Sequence, residues 1–192
     1  KPVLDARRKN ILVTIGTHLP HARRRMLAHL EALAAAMPDL FFHYTTGGSD
    51  TESGAGGSNW RVYRYLNYEQ VLGQFDGVVH HGGAGITYHG LRMGIPAVVW
   101  PQDYDQFDFA ARLSHHGLAE RCAKARAIPR ALRRVLADEA MRARREAFAH
   151  MLRAIDLRAN LRRILEEQRF ASAGARLPEK HADAGDGAQC QG

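Results

Sequence analysis

An α/β fold built on a doubly wound parallel sheet is predicted by three observations. Short apolar, β-branched runs alternate with segments whose apolar residues recur at three and four. That alternation joins parallel strands through helices. Three of the runs end in loops of unusual composition, and ligands of such sheets sit in the crevice beyond the carboxyl ends of the strands. The chain has 192 residues, enough for one domain with a full core.

The first strand is predicted at residues 11–15 (ILVTI), closed by Gly16-Thr17. A helix pattern follows, with Met26, Leu27, Leu30, Leu33, Ala34 and Met37 on one face. Pro20 suits its first turn and Pro38-Asp39 ends it. Residues 40–45 (LFFHYT) read as the second strand, and the glycine- and serine-rich stretch 47–59 as a mobile loop. Residues 61–65 alternate as a third strand, and 68–75 form a short helix. Gly77-Val78-Val79 is the fourth strand. A helix is expected over 86–93 with Gly94 at its end. Residues 95–100 form the fifth strand, ending at Pro101, and 106–116 a helix closed by Gly117. Beyond Ile128 come two or three helices rich in Ala, Leu and Arg, to about Phe170. Residues 171–192 lack periodicity and read as a disordered tail.

Composition narrows the classes. No run approaches the roughly 18 apolar residues of a membrane span. The first ten residues show no apolar signal region. Cys122 and Cys190 make neither a disulfide framework nor a metal spacing, which fits a reducing, cytoplasmic setting. The formal charge is +7, and residues 121–169 hold 14 Arg/Lys against 6 Asp/Glu. That block reads as solvated helix faces, or as a surface for anionic lipid at the membrane periphery. No aromatic residue interleaves with its arginines before Phe148, so nucleic acid is not an expected partner.

The loops carry the chemistry. Val78-Val79 runs into His80-His81-Gly82-Gly83-Ala84-Gly85, and a helix begins at once. A helix start presents unpaired N–H groups and about half a positive charge. Glycines let that backbone approach a phosphate closely, so a diphosphate is the natural guest. No G-x-x-x-x-G-K-[ST] occurs, and Gly83-Ala84-Gly85-Ile86-Thr87-Tyr88 lacks the last glycine of G-x-G-x-x-G. His80 and His81, adjacent in an extended segment, point opposite ways, one to the core and one to the cleft. No third ligand stands at a metal-binding spacing, so no metal is expected. In Pro101-Gln102-Asp103-Tyr104-Asp105-Gln106, Asp105 and Gln106 either cap the next helix or recognise sugar hydroxyls. Gly16-Thr17-His18 offers a backbone N–H and a hydroxyl. Arg23, Arg24 and Arg25 fall near a helix start, the wrong end for positive charge, which fits either a nearby anion or an exposed, screened face.

Taken in order, Gly16-Thr17, Val79-His80-His81-Gly82-Gly83-Ala84-Gly85, and Pro101 with Asp105-Gln106 resemble the nucleotide-sugar-binding half of the UDP-glycosyltransferase family. The resemblance runs from about Ile11 to about Glu167. It implies the C-terminal half of a GT-B fold, in which two Rossmann-like domains face a cleft, with residues 1–170 as the nucleotide-sugar-binding domain. It further implies that His81, Gly83, Ala84 and Gly85 hold the donor diphosphate with Thr17 beside it, and that Asp105 and Gln106 hold sugar hydroxyls. The stretch 65–68 corresponds to the base-binding loop, where backbone groups near Leu66 pair with uracil or thymine. Two positions depart from the family. Ile86, followed by Thr87, stands where a Ser or Thr is frequent, and His89 where many members carry a ribose-binding Glu.

The activity implied is transfer of a hexose from a UDP- or dTDP-sugar to an acceptor hydroxyl, without a metal or other cofactor. The family's acceptor site and catalytic base lie in an N-terminal domain, and ten residues precede the first predicted strand here. The resemblance therefore implies a partner, an N-terminal acceptor domain or a separate subunit, and a chain inactive by itself. The alternatives are the donor subunit of a split enzyme and a non-catalytic nucleotide-sugar-binding subunit.

Overall fold

The computed structural model describes residues 2–16, 20–48, 54 and 56–174, without the side chains of residues 20–24, 157 and 168–174. Thr17 and His18, residues 49–53 and 55 of the expected mobile loop, and the tail from residue 175 lie outside the described residues. The chain divides into two compact units, Lys1–Ala154 and Ile155–Gly192.

Six strands form one sheet in the first unit: β1 (Lys9–Thr14), β2 (Leu40–Thr45), β3 (Trp60–Tyr63), β4 (Gly77–His80), β5 (Ala97–Val99) and β6 (Glu120–Arg121). Their order is β3-β2-β1-β4-β5-β6, and every ladder between them is parallel. The helices are α1 (Pro20–Ala36), α2 (Tyr68–Val71), α3 (Ala84–Met93), α4 (Gln106–His115), α5 (Ile128–Ala137) and α6 (Glu139–Ala154). Short 3-10 turns follow α2 and precede α5.

The apolar runs are buried on both faces, as a parallel sheet requires. Ile11, Val13 and Ile15 face one way with Val79 and Val98, against Met26 and Leu30 of α1, Met37 just beyond its end, and Leu132 and Val135 of α5. Leu12, Val78 and Val99 face the other way, against Leu72, Ile86 of α3 and Leu113 of α4. Burying a side chain of this kind contributes about 1.5–3 kcal/mol, so this double row dominates the stability of the sheet.

Pro38-Asp39 follows the end of α1, but the side chain that satisfies the helix comes from far along the chain. The buried Asn59 amide donates to the carbonyls of Ala34 (2.8 Å), Met37 (3.2 Å) and Leu40 (3.1 Å). Strand β6 was not anticipated, because two charged residues show no apolar period. It is recognised by its pairing with β5, which the Cys122 N–H extends to the Val99 carbonyl at 2.8 Å.

The second unit begins just before α7 (Leu157–Gly174), whose last four residues are helical where a disordered tail was expected. This helix exposes Leu161, Ile164 and Leu165. No helix among the described residues is long and apolar enough to cross a membrane.

Candidate functional site

The strand order reverses direction between β1 and β4, and there the crevice opens. Thr14, the last residue of β1, pairs with His80, the last of β4. The loops leaving these strands therefore emerge side by side. Together with the loop after β5 they line a cleft of about 680 Å³, reached by Gly16, His81, Gly83, Ala84, Gly85, Asp105 and Gln106, and also by Tyr68, Ile86 and Tyr104.

The two histidines diverge as their adjacent positions predict. His80 is buried, and its Nδ1 accepts the Gly82 N–H at 3.1 Å. Burial, with the charge of His81 beside it, pushes its pKa down to about 3, so the ring is neutral. His81 is half-buried and lines the cleft. Its Nε2 is wedged between two glycines. A Cβ at Gly16 would lie 2.7 Å from that nitrogen, and one at Gly83 would collide with it. Two side-chain-free positions are thus what allow the imidazole to occupy the mouth of the crevice.

Helix α3 starts at Ala84, two residues earlier than expected. Its N-cap, Gly83, is extended (φ −62°, ψ 149°) and supplies no side-chain cap. The first helical bond runs from the Thr87 N–H to the Gly83 carbonyl at 3.1 Å. The N–H groups of Ala84, Gly85 and Ile86 therefore have no partner within the helix, and they carry the positive end of its dipole. The departure from the family at position 86 leaves no hydroxyl free here. Ile86 is buried in the core, and Thr87 is buried with its Oγ1 unpartnered.

Across the cleft, Asp105 precedes α4 without making a capping bond, and it is exposed. Gln106 is 7% exposed, and its Oε1 accepts the N–H groups of Gln102 (2.9 Å) and Asp103 (3.2 Å). The amide oxygen is held inside its own loop, so the amino group is the end of Gln106 left to meet a ligand. Leu66 does not line the cleft; its side chain is buried in the second core cluster. Arg25 is exposed over the Trp100 ring, 5.9 Å from its centroid.

One contributor, Thr14, and the bond it shares with Tyr68 escaped sequence reasoning. Thr14 Oγ1 and the Tyr68 hydroxyl lie 2.8 Å apart, and the Gly16 N–H donates to the same Thr14 oxygen at 3.3 Å. Burial raises the Tyr68 pKa above its ordinary value, so the phenol keeps its proton. This chain of bonds sets the turn after β1. Among the described residues, no three His, Cys, Asp or Glu side chains cluster as a metal ligand set.

Comparison with known proteins bears on the family and the fold. Residues 47–154 match the family model of the erythromycin biosynthesis protein CIII-like C-terminal domain. The 4'-demethylrebeccamycin synthase of Lentzea aerocolonigenes is 30% identical over 179 residues, covering 93% of this chain and 36% of that protein. Among solved structures, a glycosyltransferase of kitacinnamycin is 28% identical with a TM-score of 0.67, covering 79% of this chain and 41% of that one. SnogD, a glycosyltransferase of Streptomyces nogalater, is 26% identical with a TM-score of 0.66, covering 89% and 44% respectively. The chain thus spans less than half the length of each of these relatives. A six-stranded parallel sheet of this order, with the match across 47–154, makes the chain a member of the erythromycin biosynthesis protein CIII-like C-terminal domain family, the C-terminal half of a GT-B glycosyltransferase fold.

Proposed function

We propose that this chain is the donor-binding half of a glycosyltransferase that moves a hexose from a UDP- or dTDP-sugar to an acceptor hydroxyl. The observation that carries the proposal is the convergence in one cleft of an uncapped helix start, an imidazole and an exposed carboxylate. In this reading the diphosphate sits against the N–H groups of Ala84, Gly85 and Ile86 with His81 beside it. Asp105 accepts from sugar hydroxyls, and the amino group of Gln106 donates to them. Thr17 flanks the diphosphate, and backbone groups near Leu66 pair with the base.

The chemistry follows from charge. The acceptor oxygen attacks the anomeric carbon. The bond from that carbon to the diphosphate breaks, and its electron pair leaves on the diphosphate oxygen. The acceptor's proton goes to a base supplied by an acceptor domain, in the same polypeptide or on a partner subunit. Negative charge therefore grows where the helix start and His81 already point. One well-placed donor of this kind is typically worth about 3 kcal/mol in the transition state. These fixed dipoles take the part a divalent cation would otherwise play, so donor binding is proposed to need no metal, and transfer to need the acceptor domain.

Calorimetric titration of the chain in EDTA with UDP, UDP-glucose, dTDP and dTDP-glucose tests this. Binding of at least one nucleotide pair is expected, unchanged by added magnesium. Asp105→Ala should weaken the sugar nucleotide more than the bare nucleotide. Absence of heat with all four ligands would sink the reading, and equal losses on both members of a pair would remove the role given to Asp105.

A further inference from the structure

We propose that Tyr104 is a sugar-contacting residue of this cleft, its ring the platform on which the apolar face of the donor's pyranose lies. The inference rests on the donor-binding reading above and adds to it a residue that selects for the sugar.

Tyr104 is the one described residue other than glycine with a positive φ, 50°. A bulky aromatic residue is a poor occupant of that left-handed region, where glycine or asparagine sits at far lower cost. The surrounding loop holds it there. The Asp103 carboxylate accepts the Tyr104 N–H at 2.8 Å. The Gln106 amide oxygen accepts the two N–H groups before it, and the Gln102 amide donates to the carbonyls of Trp100 (3.0 Å) and Pro101 (3.2 Å). Strain maintained by so many bonds is a feature of binding clamps.

The ring gains no burial from this conformation, being 78% exposed. It is instead brought to the wall of the cleft next to Asp105 and across from the start of α3. A pyranose presents hydroxyls at its rim and C–H groups on its faces. Asp105 meets the first, and an aromatic face meets the second. Because the Gln106 oxygen is occupied within the loop, this loop offers sugar hydroxyls, among its described side chains, the Asp105 carboxylate and the Gln106 amino group. The C–H face is a further handle by which the site can tell a sugar nucleotide from its bare diphosphate.

Tyr104→Gly separates ring from backbone, because glycine keeps the left-handed turn without strain while removing the platform. Tyr104→Phe keeps the ring and loses the hydroxyl. The readout is the ratio of dissociation constants for UDP against UDP-glucose, and for dTDP against dTDP-glucose, measured calorimetrically on the full chain. Tyr104→Gly should shift that ratio against the sugar nucleotide by about three- to tenfold, the range of an aromatic contact, with the bare nucleotide unchanged. Tyr104→Phe should keep the wild-type ratio. A wild-type ratio in Tyr104→Gly, or equal weakening of both ligands, overturns the proposal and leaves the donor-binding reading standing. A wild-type chain that binds no nucleotide overturns both.

Discussion

His81 owes its position to what its neighbours lack. Gly83 has an ordinary backbone conformation (φ −62°), so Gly83→Ala adds a methyl group and little backbone strain, and that methyl collides with the imidazole Nε2. The expected outcome is a displaced ring, an intact fold, and nucleotide diphosphate binding weakened roughly tenfold to a hundredfold, the worth of a hydrogen bond to a charged group. Gly16→Ala meets the same nitrogen from the other side, but at φ +74°, so it should also destabilise the fold by about 1–2 kcal/mol. Calorimetry and thermal melting on the two variants separate these effects. Unaltered affinity in Gly83→Ala would show that the imidazole does not touch the ligand. At this scale the sequence is informative where chemistry is local. Adjacent histidines in an extended segment must diverge, and they do. The wedge of Gly16 on His81 and the bond from Thr14 to Tyr68, 54 residues apart, depend on which strands become neighbours, and spacing along the chain carries no record of that.

Helix α3 leaves N–H groups unpaired at its N-terminus and is closed at its C-terminus, and the two ends can be altered independently. Gly94 closes the helix in the left-handed conformation (φ 68°), its N–H reaching the carbonyls of Gly90 and Leu91. A Cβ there would meet the Ala149 methyl at 3.5 Å and the Arg145 carbonyl at 3.6 Å, both ordinary contacts. Gly94→Ala therefore tests the backbone term by itself. It should cost about 1 kcal/mol and lower the melting temperature by about 2–4 °C, with nucleotide affinity unchanged. A loss of affinity equal to that of Gly83→Ala would mean that the helix moves as a body and that its start is not held by the sheet. Elements with a strong period, such as α1 and β2, were legible almost to the residue. The start of α3 and the strand β6 were not. Glycine and alanine at 83–85 have no period, and two charged residues become a strand through the ladder to Val99.

The whole sheet encloses two histidines that must stay neutral, and this couples its stability to pH. Alternation of strand and helix made the parallel sheet legible, and the glycine loops marked the edge where the cleft opens. The switch point between β1 and β4, and the polar groups it buries, emerge only from the strand order. His43 is fully buried on β2, with Nε2 2.9 Å from Asn10 Oδ1 and Nδ1 3.1 Å from the Tyr63 hydroxyl. Asn10 Oδ1 also accepts the Asp5 N–H, and the Tyr63 oxygen accepts that of Val3, so one neutral ring ties the N-terminal segment to the sheet. Burial, reinforced by Arg61 and opposed by Asp5, lowers the His43 pKa from 6.5 to about 4. The unfolded chain therefore binds a proton that the folded chain refuses between about pH 6.5 and 4. The stability this neutral ring contributes is complete above that window and is lost as the pH falls through it. The loss is at most about 1.4 kcal/mol for each pH unit crossed. His80, lowered to about 3, adds a second contribution of the same sign. His43→Gln retains an amide donor toward Asn10 and cannot titrate. Its melting temperature should fall less than that of the wild type between pH 7 and 4.5, while carboxylate protonation affects both proteins alike. Parallel melting curves for wild type and variant across that range would show that His43 is already protonated in the fold and would remove this coupling.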